Sequence, residues 1–589
     1  MASKVLGYAG VSEKKSCRAR NFLTVLLCLL SLIGAAADSV ADSGEGDLVG
    51  RRLASIVVSF DNLQQKNSTY KNAVLKAFGI YPGGHYDPNL TGLMLNKVRR
   101  LNFVKGVTYT PKLVANGQLE LVLNVIITDK VSQLPNKSIG VLVENNWNEF
   151  PTLYADDKTV FLGKLGNKSM VFSNANAFFG RPDVLTAGNP LAISPSGDSS
   201  SPDTWLESSV EAGAYGLNAF TDRISGFAGA SFIASGSWGP ELFTDQTRTH
   251  LDVEDAYLGF TGNSTTEQGS LRQLSLLVGR KSFQVDSGMI LRLGSANGGE
   301  RAALQSNPRN AADQLLLMQL IHDEHKLELF QFNPDELEEI DSSTVIRGVN
   351  YESRIASDFR VGAMYLQVSE SNFSYFTQTS ILSRSGLELT DLRFAYDPPT
   401  NRSGFYAQAE LARQSHQDFD MNARAGYMEA GYRFVGLSWR PAISYRYSRF
   451  TGDKPGTSSF ERWDPLFAGG AGDEWVQGLN QYKVVQTSNV IGHRIMGRLN
   501  VSPQLELTPQ LWFFRADNLN NLGGAQALSV LSSKDLGREI NLTARYISTA
   551  NLIFVFSAAY TQPGEAIRDA LSDDYSDWIS ASALVVARF

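Results

Sequence analysis

Arginine recurs at alternate positions, next to apolar residues, along several segments in the second half of the chain. An arginine guanidinium binds a carboxylate through two parallel hydrogen bonds, and rows of arginine lining a pore favour anions. Because neighbouring side chains of a strand point to opposite faces, we expect the polar members to face inward, together with Asp391, Glu410 and Glu429. The predicted basic wall consists of Arg393, Arg433, Arg440, Arg446, Arg494, Arg498 and Arg545.

Earlier segments place carboxylates in the same relation to their apolar neighbours. Glu207, Glu211, Asp252 and Glu254 are therefore predicted to face inward as well. If these segments enclose a pore, its interior would be basic along one wall and acidic along another. Such an interior suits an anionic polymer or solute that moves from site to site. The same charges would serve equally well as arginine–carboxylate pairs that support the wall. Both roles fit the pattern.

The sequence offers little evidence for metal binding, catalysis or nucleic-acid binding. Residues 335–341 are acidic but lack regular ligand spacing, and His322 and His325 fall in a strand-like stretch where a turn or barrel rim explains them. No serine–histidine–aspartate set, nucleotide-binding loop or cysteine pair occurs, so we predict no enzymatic activity, no cofactor and no metal site. A net charge of −7 and a pI near 5.6 argue against nucleic-acid binding, which needs a basic face.

The elements that carry these side chains are predicted to be strands. Beyond Thr152, short segments alternate in hydrophobicity between loops rich in Gly, Asn, Asp and Ser, as at residues 405–411 and 540–546. Since backbone groups inside a bilayer must be paired internally, a sheet spans a membrane only by closing on itself. We therefore expect residues 152–589 to form a transmembrane antiparallel β-barrel of about 16 to 18 strands. A large soluble β-sandwich or propeller is the alternative.

Residues 1–37 have the organisation of a secretory signal peptide, and 38–51 would link it to the next domain. Basic residues precede an apolar stretch at 22–33 and three alanines at 35–37. A single membrane anchor is the alternative, but this stretch is shorter than the ~20 residues that a spanning helix needs. Export predicts an outer-membrane location, with membrane lipid and the barrel assembly machinery as partners. The alternating last strand that ends on Phe589 resembles the assembly signal of such barrels.

Residues 52–131 are predicted to form a small α+β domain, followed by a linker at 132–151. Its pattern gives a strand, two helices and two strands, with Gly84, Tyr86 and Asp87 between the helices. This order and this turn resemble a POTRA domain. The resemblance implies a periplasmic domain that binds export partners or polymer along an exposed strand edge, at the first or second strand. A plug or spacer domain is the alternative.

Two stretches of the predicted barrel resemble a known family. Residues 276–292 contain a Gly-Arg strand, and residues 445–478 contain a tyrosine-rich strand ending in Gly-Asp, an aromatic loop and Trp-x-x-Gly. This succession is similar to the alginate-export porins, although their usual form has no POTRA-like domain. The aromatic loop motif is Trp463, Asp464, Pro465, Leu466 and Phe467.

The resemblance implies a mainly β outer-membrane export channel that conducts an anionic exopolysaccharide or similar polymer from the periplasm to the cell surface. The POTRA-like domain instead suggests protein translocation or insertion. Barrels of that superfamily carry a Val-Arg-Gly-Phe-like motif in an inward-folded loop, and the nearest match here is Ile346-Arg347-Gly348-Val349, which equally fits a strand start. A passive anion-selective porin is the third possibility.

Overall fold

The computed structural model describes Leu48 and residues 51–127 and 152–588 with gaps. The gaps are 62–67, 85, 100, 102–103, 115–116, 157, 181–192, 196–202, 222, 240–243, 245, 266–270, 293–294, 357, 378–379, 469–477, 486, 522–529, 550 and 572–574. The predicted signal peptide, the linker 132–151 and Phe589 lie outside the described residues, as does nearly all of the linker 38–51.

The first described segment is a three-stranded sheet with two helices, in the predicted element order. The elements are β1 (Leu53–Phe60), α1 (Ser68–Phe78), α2 (Pro88–Arg99), β2 (Val104–Leu113) and β3 (Leu119–Ile127). Strand β3 is central, parallel to β1 and antiparallel to β2. Asp87 caps α2, since its carboxylate accepts the Leu90 amide at 3.3 Å. Among the described residues, no helix is long and apolar enough to cross a membrane.

Strands dominate the rest of the chain, as the alternation predicts. They are β4 (Thr152–Ala155), β5 (Thr159–Ala175), β6 (Phe178–Gly180), β7 (Ile193–Pro195), β8 (Asp203–Ala219), β9 (Ile224–Trp238), β10 (Arg248–Thr265), β11 (Leu271–Lys281), β12 (Ala312–His322), β13 (His325–Asn333), β14 (Val345–Ala356), β15 (Phe359–Glu370), β16 (Ser374–Phe376), β17 (Ile381–Ser383), β18 (Leu387–Tyr396), β19 (Gly404–His416), β20 (Ala423–Arg433), β21 (Ala442–Phe450), β22 (Val490–Asn500), β23 (Leu505–Ala516), β24 (Asp535–Thr549), β25 (Leu552–Pro563) and β26 (Trp578–Arg588). Two short helices, α3 (Tyr482–Val485) and α4 (Glu565–Ala570), lie between strands.

Eighteen of these strands form one closed antiparallel barrel. They are β5, β8–β15 and β18–β26, and the barrel closes where β26 pairs with β5. The number of strands lies within the predicted range. Because it is even, the chain enters the first barrel strand and leaves the last barrel strand at the same rim. A soluble sandwich or propeller is thereby excluded.

The two rims differ in the length of their connections. Short turns at one rim include 323–324, 397–403, 434–441 and 501–504, and we call it the short-turn rim. The long connections of the opposite rim include loop A (282–311), loop B (371–386) and loop C (451–489). In transmembrane barrels of the outer membrane, short turns face the periplasm and long loops face the exterior.

The outer surface of the barrel is apolar. Alternate residues of the strands point outward and remain exposed, as expected for a wall in contact with lipid. Examples are Leu206, Phe232, Leu258, Leu276, Leu316, Leu329, Leu392, Leu411, Ile443, Ile495, Phe513 and Ile540.

The long-loop half of the interior is filled by the loops. Loop A buries Met289 and Leu291, loop B buries Tyr375, and loop C buries Trp463, all in one cluster with inward-facing wall residues. Leu291 forms a bridge to Phe467 of loop C. The loops therefore pack on one another inside the barrel.

The N-terminal sheet-and-helix segment contacts the short-turn rim. Asn401 donates to the Tyr81 carbonyl at 2.8 Å, and the Thr400 hydroxyl donates to the Gly79 carbonyl at 2.8 Å. Arg440 forms an ion pair with Asp87. These contacts tie the segment to two turns, 397–403 and 434–441.

Candidate functional site

A polar cavity of about 470 Å³ lies in the lumen. Wall strands from β15 to β24 line it, and loop A contributes Asp286 and Ser287. Six arginines and four carboxylates face it, so guanidinium groups exceed carboxylates by two. These residues are Arg360, Arg433, Arg446, Arg494, Arg498 and Arg545, with Asp286, Asp397, Glu429 and Glu506.

A three-residue ion cluster forms one part of this cavity. Arg446 and Arg494 lie directly opposite each other on β21 and β22. Like charges in this relation destabilise a sheet unless an anion lies between them. Glu429 on β20 is that anion, since its two oxygens lie 2.7 Å from one arginine each. The cluster keeps one net positive charge.

Looser ion pairs lie in the same cavity, nearer the short-turn rim. Arg498 is 3.6 Å from Glu506, and both side chains are partly exposed. Arg433 pairs with Asp397 and lies 4.7 Å from the ring centre of Tyr406. Exposed pairs of this kind contribute about 0 to 1 kcal/mol. Their arginines can therefore exchange one carboxylate for another at little cost.

Five of the seven predicted arginines thus line one cavity, and two do not. Arg393 faces inward but is buried, paired with Asp391 at 3.0 Å, and lies by a neighbouring cavity of about 400 Å³. Arg440 lies on the turn 434–441 with φ +38° and contacts the N-terminal segment. The prediction that Arg440 faces the lumen is wrong, because the alternation of β21 begins only at Ala442.

The predicted acidic wall is wrong as a free surface, because loop A covers it. Glu207 is fully buried and accepts the Gln305 and Ser306 amides at 3.1 and 2.6 Å. Glu254 accepts the Asn310 amide at 2.7 Å. These carboxylates face inward as predicted, but they bind loop backbone instead of lining an open path.

The other two predicted carboxylates have cationic neighbours. Glu211 forms an ion pair with Lys164 at 2.6 Å. Asp252 lies 3.5 Å from Arg309 of loop A. All four predicted carboxylates therefore have a loop amide or a cation as partner, and the excess of arginine lies across the lumen from them.

The aromatic loop motif anchors loop C to the other loops. Asp464 accepts hydrogen bonds from Arg384 at 2.7 Å and from the Tyr375 hydroxyl at 2.6 Å, both of loop B. Burial, reinforced by Asp464, raises the pKa of Tyr375, so its hydroxyl stays protonated and donates. The Phe467 carbonyl accepts the Arg292 amide of loop A at 3.0 Å.

The rest of the motif is apolar filling. Trp463 is fully buried with its ring centre 6.3 Å from that of Phe450, and Leu466 has φ +47° in the turn after Pro465. The motif therefore lies inside the barrel where three loops meet.

A second loop anchor was missed from the sequence. Glu539 on β24 is fully buried and accepts three consecutive loop C amides, from Leu479 at 2.5 Å, Asn480 at 3.0 Å and Gln481 at 2.9 Å. Gly478 precedes them with φ +81°, and a side chain there would collide with the Glu539 carboxylate. The alternation at 540–546, extended by one residue, would have placed Glu539 inward.

Lys483 continues this anchored segment. Its ammonium lies 5.4 Å from the ring centre of Phe172 and 5.7 Å from that of Trp578, and it donates to the Leu479 carbonyl at 2.6 Å. Burial lowers the pKa of Lys483 to about 7, although Glu539 and Glu207 oppose this.

Two weaker motifs have structural roles. The Ile346–Val349 match lies within wall strand β14, and Arg347 points outward to Gln367 at 2.7 Å, so it is an ordinary strand start and not an inward-folded loop. In the acidic run 335–341, Asp335 is buried between Arg280 and Arg301 at 2.8 Å each. Burial opposes ionisation of Asp335, but the two arginines lower its pKa overall.

Comparison with known proteins gives one family and several solved structures of low sequence identity. No curated protein matches the chain. The outer membrane protein OprD from Pseudomonas aeruginosa is 13% identical with a TM-score of 0.42, covering 72% of this chain and 93% of that chain. Pseudomonas putida OprB is 7% identical with a TM-score of 0.37, covering 73% and 94%.

The family comparison covers more than half of the chain. Residues 235–579 match the family described as Alginate export. This span runs from β9 into β26 and contains loops A, B and C and every arginine of the cavity. With its closed transmembrane barrel, the chain is an outer-membrane protein, and it belongs to the alginate export family.

Proposed function

We propose that this protein is an outer-membrane channel that exports a carboxylate-bearing polysaccharide from the periplasm to the cell surface. The observation that carries the proposal is the excess of arginine over carboxylate in the lumen cavity, on the periplasmic side of loops A, B and C. A polyanion entering from the periplasm meets this cavity first. Membership of the alginate export family supports the same direction of transport.

The arrangement of the arginines favours passage over tight capture. A uronate carboxylate can replace Glu506 at Arg498, or Asp397 at Arg433, because these pairs are weak and partly exposed. The Glu429 cluster farther along keeps one positive charge but no unbridged arginine pair. Successive sites of moderate affinity allow a polymer to enter and to leave. The residues bind and pass the polymer without bond chemistry, so we propose no enzymatic role.

Loops A, B and C form the closed state of this channel. Their described residues pack in the exterior half of the lumen and are held by wall carboxylates and by the Asp464 contacts. Passage of a polymer requires at least part of loop C to leave the lumen. Because the anchors are hydrogen bonds to fixed acceptors, the loop can return to the same position.

We propose that the N-terminal segment is a POTRA-like periplasmic domain that receives export partners or the polymer. It has the strand, helix, helix, strand, strand order, and β1 and β2 are the two edges of its sheet. An edge strand can pair with an extended segment of a partner. Its contacts with turns 397–403 and 434–441 hold it beside Arg433 and Asp397 at the cavity entrance.

Protein translocation and passive anion diffusion are the competing functions. The nearest match to the motif of the translocation superfamily lies in a plain wall strand here, so the POTRA-like domain is the support that translocation keeps. A passive porin would conduct small anions without being blocked by a polymer. The experiment below separates all three.

Planar-bilayer recording of the full chain tests the proposal. Polyuronate added on the periplasmic side should block the current, and a neutral glucan of equal length should not. Changing Arg498→Gln together with Arg545→Gln makes arginines and carboxylates in the cavity equal in number. Since a hydrogen bond to a charged group contributes about 1.5 to 3 kcal/mol, the blocking concentration should rise about tenfold or more.

Arg272→Gln is the matched control for this variant, since Arg272 is exposed at the start of β11 on the outer face. It should leave block unchanged. Block by neither polyuronate nor glucan would reject the polysaccharide proposal in favour of a passive porin. Block by unfolded protein alone would favour translocation.

The ion pair between Asp87 and Arg440 gives a prediction for the N-terminal domain. Asp87→Arg alone should release the domain and raise amide hydrogen exchange in residues 79–87 and in the two contacted turns. Combining it with Arg440→Asp restores opposite charges and should return exchange toward that of the unaltered protein. Exchange that stays low in the Asp87→Arg variant would mean that the domain is held by other contacts, such as Asn401 with Tyr81.

A further inference from the structure

The outer face of the barrel carries a pair of arginines to which the described part of the chain supplies no bridging anion. Arg413 on β19 and Arg424 on β20 are direct cross-strand partners. Both are exposed, and the inward positions of the same strands are occupied by Gln414, Ala423 and Ala425. Among the described residues, neither guanidinium has a carboxylate within 4 Å. Like charges placed this way destabilise a sheet.

The interior of the same barrel contains a similar arginine pair that does have a bridging carboxylate. Arg446 and Arg494 are also cross-strand partners, and Glu429 bridges them at 2.7 Å on each side. No such bridge exists on the outer face for Arg413 and Arg424 within the described chain. The outer pair therefore requires an anion from the surroundings to reach the same balance.

A groove of about 470 Å³ runs beside this pair. Arg424, Arg449 and Lys454 form its polar end, and Leu411 and Met428 are exposed apolar residues along it. Gly426 also lines the groove, and a side chain there would collide with Leu411 and with the Glu410 carbonyl. The groove thus has a cationic end and an apolar stretch. An anionic headgroup with acyl chains would need both.

The carboxylates at the groove do not cancel its charge. Asp517 accepts Arg449 at 2.7 Å, and Glu461 accepts Lys454 at 2.8 Å. With Arg413 and Arg424 included, four cations face two carboxylates. The local excess of two positive charges matches a ligand with two phosphate charges or one doubly charged phosphate.

The depth of these residues in the membrane identifies the source of the anion. Arg413, Arg424 and Arg449 all lie within the last or first few residues of their strands at the long-loop rim. Outward arginines continue at this level on β23 and β24, with Arg515 and Arg538. Arginine on a lipid-facing surface is tolerated near the interface and costs about 2 to 4 kcal/mol at mid-membrane. This level is where the headgroups of the outer leaflet lie.

We propose that this surface, formed by Arg413, Arg424, Arg449, Lys454 and the groove along Leu411 and Met428, binds a phosphorylated glycolipid of the outer leaflet. The arginines bind phosphate through paired hydrogen bonds. The acyl chains lie along the groove over Gly426. The bound lipid supplies the anion that the Arg413–Arg424 pair lacks and fixes the strands β19–β21 beside loop C.

Lipid binding to the full chain in detergent tests this site. The probe is a diglucosamine lipid with two phosphates, titrated against the protein and counted by native mass spectrometry. Arg413→Gln combined with Arg424→Gln should raise the apparent Kd about tenfold or more, since two of the three guanidinium groups of this surface are lost. Arg272→Gln, which removes an exposed outward arginine at the opposite rim, should leave binding unchanged.

Three results would overturn the proposal. The double variant could bind the lipid as well as the unaltered protein does. The dephosphorylated lipid could bind equally well, which would leave only the apolar groove. Arg272→Gln could weaken binding as much as the double variant, which would mean that any outward arginine suffices. Since the altered residues face lipid, bilayer conductance should stay unchanged and report that each variant is folded.

Discussion

Changing Glu539 to alanine is expected to open the channel. Glu539 binds three successive amides of loop C, and no other described group takes over these bonds. At about 1.5 kcal/mol for each of these three hydrogen bonds to a charged group, docking of residues 478–485 should weaken by about 4.5 kcal/mol. Single-channel recording should show a larger conductance or a much higher open fraction than in the unaltered protein.

A matched control separates this effect from a general loss of lumen charge. Glu506→Ala removes a carboxylate that pairs with Arg498 and binds no loop amide. It should change ion selectivity without changing the open fraction. If Glu539→Ala leaves the open fraction unaltered, loop C is not the barrier in the lumen.

Changing Asp464 to asparagine is expected to loosen the loops without opening the barrel wall. Asp464 and Arg384 form a buried ion pair at 2.7 Å, with 1% and 6% of their side chains exposed. Removing one partner of a buried pair costs about 3 to 5 kcal/mol because the other charge stays buried. Limited proteolysis should therefore cut loops B and C much faster, while the strands stay protected.

Two further variants make this result specific. Asp418→Asn alters an exposed carboxylate on the 417–422 connection and should not change the cleavage rate. Arg384→Met combined with Asp464→Leu removes both charges and should recover part of the protection, since an apolar pair avoids the unpaired charge. Equal cleavage of Asp464→Asn and the unaltered protein would contradict this role of the motif.

Much of the architecture followed from periodicity. Alternation placed the strands and their inward faces, because a strand has a fixed period of two. The length of residues 152–589 gave about 16 to 18 strands, and the observed barrel has eighteen. The element order of residues 53–127 followed from the helical stripe before Gly79 and the alternation at 119–125.

The predictions that failed did so for identifiable physical reasons. Alternation cannot show where a strand begins, so Arg440 was placed in the lumen although it lies on a turn with positive φ. It also says nothing of what covers an inward face, so Glu207 and Glu254 were expected to be open to the lumen. A bulge between Val253 and Ala256 turns Asp255 inward beside Glu254, which a strict period of two does not allow.

The segment anchored by Glu539 also spans the place where the barrel closes. Asn480 binds Thr561 on β25 and accepts the Ser580 hydroxyl on β26, while Lys483 lies against Phe172 on β5. Strands β26 and β5 are the last and first of the barrel, so this docking position does not exist until the two ends of the sheet have met. The order of assembly follows: the wall must join before loop C can fill it. A newly inserted chain would thus pass through a leaky stage that ends only when the seam is complete.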